Sequence, residues 1–175
     1  TGISNKMVNT APTEELIVDD FLHFLGNDPL VAHNIHFDEQ FLSQLCIRLG
    51  RDEGHNHKYD TLQLSRSLYF DLPVFNLSAL SEHFGLSSEG AHRAEKDTEN
   101  TGLIFIKLLE LLACYPLEVI SKVLTLIKGS EIPNKKLYVD LGNELTRRGD
   151  IKQGLTSLKV AYNYHGNTFR WQGKN

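Results

Sequence analysis

Long apolar runs are missing from this sequence. The longest, residues 103–115, is interrupted by Lys107 and Glu110. A helix needs about 20 apolar residues to span a bilayer, so no membrane crossing is expected. No charged segment followed by an apolar core opens the chain, and no secretory signal is expected either. Cysteine is scarce: Cys46 and Cys114 are the only two among 175 residues. Both fall in apolar helical context, which argues against a disulfide framework or a cysteine metal pair and for reduced core residues of a cytoplasmic protein. No large excess of one charge sign is present, the net being -4.

What is present is ordinary for a globular protein, with 41% hydrophobic and 23% charged residues. The charge is unevenly spread. Residues 1–112 hold 8 Lys+Arg against 17 Asp+Glu, whereas residues 113–175 hold 10 against 5. An acidic half joined to a basic half suggests two units with different partners. The acidic surplus suits cation binding as well as solubility, and the basic half is a weak signal for nucleic acid.

Residues 1–12 read as a loop. Thr13 with Glu14 and Glu15 reads as a cap and acidic first turn, opening a helix with an apolar face of Leu16, Ile17, Phe21, Leu22 and Leu25. A short strand over 30–32 leads into a helix over 37–50 with Phe41, Leu42, Leu45, Ile47 and Leu49 at helical spacing. Residues 58–62 read as a second short strand running into a helix. Leu77, Leu80 and Phe84 mark a helix closed by Gly85, and the longest helix covers about 95–115. Strands alternating with helices predict an α/β fold with a parallel sheet. After Pro116 the pattern is helical only, over 117–128, 134–148 and 151–162; the last dozen residues have no periodicity. The predicted division is 1–113 and 114–175.

Two stretches carry chemistry: His33-Asn34-Ile35-His36-Phe37-Asp38 and His92-Arg93-Ala94-Glu95-Lys96-Asp97. Each sets a carboxylate a fixed step after a histidine, where a loop or strand end meets a helix. Two aspartates brought by different elements to one strand end can share a divalent cation. The plainer alternative is that each is a first-turn acid favoured by the helix dipole.

In this order and spacing, with Tyr59-Asp60-Thr61-Leu62 between them, the two stretches resemble the DnaQ-like DEDDh 3′–5′ exonucleases over residues 1–113. The resemblance implies an RNase H-like fold, Mg2+ or Mn2+ as cofactor, and single-stranded DNA or DNA 3′ ends as substrate, with RNA also open. It implies that Asp38 and Asp97 bind metal, that His92 is the catalytic general base, and that Asn34 and Phe37 contact the substrate terminus. Asp60 matches a position the family often fills with Asp and is read as structural support. Residues 115–121 resemble the linker of bacterial proteins that fuse such an exonuclease to a DinG-like helicase. PolC-type and epsilon-type exonucleases are also similar over 1–113, so a helicase or polymerase domain in the same parent chain is an implied partner.

The family's first motif, Asp-x-Glu, is found nowhere. Asp19-Asp20 lies on an amphipathic helix, and Val139-Asp140 has no acid two positions on. The expectation is that three strands, including the one with Asp-x-Glu, precede Thr1. Val31 would then lack a neighbour on one side, and the chain alone would be inactive. Other readings are a non-catalytic nucleic-acid-binding module and an interaction module built on the C-terminal helices. His33 reads as a packed strand-end residue; His36, His55, His57 and His83 read as solvated, with His55-x-His57 a weak zinc signal. A single tetratricopeptide-like spacing after Tyr138 reads as a plain helical hairpin, because real arrays need about three repeats.

Overall fold

The computed structural model describes residues 3–87, 93–147, 163–165 and 168–170. Residues 5–10, expected to be loop, form α1 (Asn5–Thr10), capped by Ser4, whose hydroxyl accepts the Met7 N–H. The helix buries nothing, so no apolar period announced it. Next, α2 (Glu14–Leu25) begins after Thr13 with Glu14 and Glu15 in its first turn. Its predicted apolar face is not a core face: only Val18 is buried, and Leu16, Ile17 and Phe21 are exposed.

The strands are short. β1 (Leu30–Ala32) pairs in parallel with β2 (Lys58–Asp60), Leu30 opposite Lys58 and Ala32 opposite Asp60. Parallel neighbours require a crossover, and α3 (Ile35–Leu49) supplies it. Arg51 grips Asp19 of α2 at 2.5 and 2.8 Å, and Arg48 pairs with Glu14, so α2 is tied to the far end of α3 by charge. A two-stranded sheet offers little surface to cover. Phe41 and Ile47 of α3 therefore stay exposed, although their spacing predicted burial.

The core lies elsewhere. α4 (Thr61–Leu68) follows β2 without a loop, and α5 (Leu77–His83) is capped by Asn76. α6 (Ala94–Leu112), α7 (Leu117–Leu126) and α8 (Lys135–Arg147) complete the helical part. Leu64, Leu68, Leu80, Ile104, Leu108, Ile120 and Tyr138 form one buried cluster drawn from all five helices, running across residue 114. On α6, Leu103 and Ile106 are exposed. α7 and α8 approach closely because Gly142 has no side chain; a Cβ there would stand 3.1 Å from Leu124 Cδ1.

The helix expected over 151–162 lies outside the described residues. Near the C-terminus, where the sequence shows no periodicity, a short antiparallel pair is formed by β3 (Asn163–His165) and β4 (Thr168–Arg170). Three-residue strands are too short for a period-2 signal. The described chain is thus mostly helical around one parallel βαβ unit, and no helix among the described residues is long and apolar enough to cross a membrane.

Candidate active site

Asp38 occupies the first turn of α3, which starts just beyond the carboxyl end of β1. Open α/β sheets bind ligands at such strand ends. Its side chain is exposed at the surface. Even so, the surrounding protein strips enough water to hold its carboxyl above the usual value, a backbone N–H opposes this, and the Asp60 charge adds to it. Phe37 is 69% exposed beside it. Asn34 stands at the N-cap position in the left-handed region, φ 70 and ψ 56, with no side-chain cap bond. Asparagine tolerates that conformation better than most residues.

The turn that presents these residues is held from β2. Asp60 Oδ1 accepts the N–H of Asn34 at 3.1 Å, of Leu62 at 2.8 Å and of Gln63 at 3.2 Å. One buried carboxylate therefore caps α4 and anchors the start of α3, the supporting role expected of it. His33 Nδ1 lies 3.0 Å from Thr61 Oγ1, and Thr61 donates to Ala32 O. His33 is the packed residue the sequence suggested.

Asp97 lies half-buried in the first turn of α6, a helix that packs against β1. Its N–H donates to Arg93 O at 2.9 Å, and Thr101 Oγ1 donates to its carbonyl at 2.7 Å. His92 lies outside the described residues. Among the described residues no group of three or more His, Cys, Asp or Glu side chains could hold a metal ion. The carboxylates present thus do not by themselves fit a closed cation site, and His55 and His57 are exposed without a third ligand. A cleft of about 300 Å³ lies away from both aspartates, lined by Gln63, Ser67, Leu112, Tyr115, Ile120 and Tyr138.

One residue escaped the sequence reading. Asn134 is predicted from the sequence only as a helix start. It is 2% exposed, has φ 66, and hydrogen-bonds β2 with both main chain and side chain. The only sequence signal is the Pro133-Asn134 pair before a helix, a common turn combination. His83 also differs from expectation: it is half-buried, edge-on to Tyr69 at 5.1 Å and Phe84 at 5.0 Å.

Burial lowers the basicity of both His33 and His83 from the ordinary value near 6.5. For His33, a backbone hydrogen bond with Phe75 and the Asp60 charge pull partly the other way. Below that ordinary value the unfolded chain takes up protons that the folded chain refuses, so the two histidines' contribution is full above it and is lost as pH falls. Asp38 has the opposite sign: its raised value favours the folded state fully below the ordinary 3.8, and that contribution is lost as pH rises through the raised value. The urea midpoint should therefore fall from about pH 7 to about pH 5.5, and His33→Gln should flatten part of that slope. A level midpoint across the range would contradict the assignment.

Asp38 on α3 and Asp97 on α6 are thus first-turn acids on two helices that pack against β1 of the parallel pair, and comparison with known proteins gives the class. The RNase_T family model, described as Exonuclease, matches residues 1–105, and the chain belongs to this exonuclease family. It is 39% identical over 139 residues to the DNA polymerase III PolC-type of Caldanaerobacter subterraneus, covering 79% of this chain and 10% of that protein. It is 36% identical over 110 residues to DNA polymerase III subunit epsilon of Aquifex aeolicus, covering 63% and 54%. It is 37% identical over 116 residues to the 3′–5′ exonuclease DinG of Bacillus subtilis, covering 66% and 12%. The chain thus spans between a tenth and about half of these relatives. No solved structure matches it. Exonucleases of this family are metal-dependent hydrolases acting on nucleic acids.

Proposed function

We propose that this chain is part of a cytoplasmic 3′–5′ exonuclease that removes nucleotides from DNA ends in replication or repair, within a protein that also carries a polymerase or helicase domain. Asp38 and Asp97 are ligands for Mg2+ or Mn2+, hard cations that prefer oxygen. Such ions, when bound, stabilise the attacking and leaving oxygens of phosphodiester hydrolysis. His92 takes the proton of the attacking water. Phe37 stacks on the terminal base, and the Asn34 amide holds the terminal nucleotide's polar groups. The observation that carries this reading is that Asp38 and Asp97 each start a helix packed against β1.

The same reading supplies the carboxylates that are lacking. Asn134 occupies the outer edge of β2, whereas among the described residues nothing pairs with the other edge of β1. Val31 on that strand and Phe41, Leu103 and Ile106 on the helices remain exposed. Added strands, with the one bearing Asp-x-Glu beside β1, would complete both the ligand set and an RNase H-like sheet. A second reading, motivated by the missing Asp-x-Glu motif, is a nucleic-acid-binding module without catalysis.

Digestion of end-labelled single-stranded DNA with Mn2+ separates the two. The chain alone is expected to digest poorly. The chain joined to upstream strands carrying Asp-x-Glu is expected to digest from the 3′ end and to lose this with Asp97→Asn. A folded, joined protein that binds DNA without cutting it would establish the second reading. Vigorous digestion by the short chain would remove the argument for an added strand.

A further inference from the structure

Asn134 makes a set of bonds that ordinarily only a neighbouring strand provides. Its N–H donates to Lys58 O at 3.1 Å. Its side-chain Oδ1 accepts the Asp60 N–H at 2.8 Å, while Nδ2 donates to Asp60 O at 3.0 Å and to Gln63 Oε1 at 3.1 Å. One side chain thus satisfies both main-chain groups of Asp60 from 74 residues away. Left-handed backbone at φ 66 allows it to reach inward just before α8 starts.

Asp60 in turn holds the Asn34 N–H, and Asn34 O accepts the Phe37 N–H at 3.0 Å, which closes the first turn of α3. The bonds therefore run without a break from the α7–α8 connection to the turn bearing Asp38. We propose that Asn134 is a positioning residue for the Asp38 end of the site, acting through Asp60. The segment that carries it, beyond residues 1–105 of the family match, is then a working part of the nuclease domain. The catalytic meaning of this rests on the exonuclease reading; the positioning itself does not.

Asn134→Gly is the informative variant, because glycine keeps the left-handed backbone and the N–H bond to Lys58 while removing all three side-chain bonds. Amide hydrogen exchange on the full chain is the readout. The Asn34 and Asp60 amides should exchange about tenfold faster or more, with those of Leu108 and Leu111 in α6 changed far less. An unchanged Asn34 amide in Asn134→Gly, or uniform acceleration through α6, would overturn the proposal. Mn2+ titration on the same samples tests the metal reading separately. Broadening of the Asp38 and Phe37 signals should need about tenfold more Mn2+ in Asn134→Gly. If Mn2+ leaves those signals sharp in the unaltered chain, the metal reading fails while the exchange result still decides the positioning.

Discussion

Asp60→Ala is expected to destabilise the protein by about 2–4 kcal/mol, since it removes a helix cap and leaves buried donors without an acceptor. Three N–H groups lose their partner together: Asn34, Leu62 and Gln63. Two of them begin α4, and the third fixes the turn before α3. Asp60→Asn keeps one carbonyl oxygen in the same place and should lose less than half as much. Urea unfolding of the three proteins gives the comparison. Equal losses for the two variants would show that the charge at Asp60, and not its oxygen as acceptor, matters there.

Leu108→Ala is expected to cost about 2–5 kcal/mol, the lost transfer energy of a buried leucine together with the cavity it leaves. Leu108 is fully buried in α6, inside the cluster that joins α4, α5, α7 and α8. Leu126, also a helical leucine, is 84% exposed. Its alanine variant should stay within about 0.5 kcal/mol of the parent. The contrast locates the stability of the chain in its helical half. A Leu108→Ala protein as stable as Leu126→Ala would mean that the cluster is not the core.

The candidate site was partly legible in the sequence. Asn34, Phe37 and Asp38 sit in a turn whose local pattern, a short apolar strand before a 3.6-residue period, fixes where the helix begins. Asp97 could be placed in a first turn because the helical period begins at about residue 95. Asp60 was legible as support only through the family resemblance, and its capping of α4 came from the structure. The apolar faces misled. Leu16, Phe21, Phe41 and Ile106 have helical spacing and yet are exposed. Periodicity says which side of a helix is apolar and says nothing about whether a surface exists to meet it.

The sequence alone determined the order of strand and helix from α2 to α8, the two histidine–aspartate motifs and the family to which they belong, because these depend on residues a few positions apart. Tertiary structure decided which edge of the small sheet is closed. Asn134 meets Asp60 across 74 residues through bonds of fixed geometry that leave no period in the sequence. A single asparagine reads the same whether it faces solvent or completes a strand. Only the packing of α7 and α8 beside α4 and α6 sets this one against β2, while among the described residues nothing pairs with the other edge of β1.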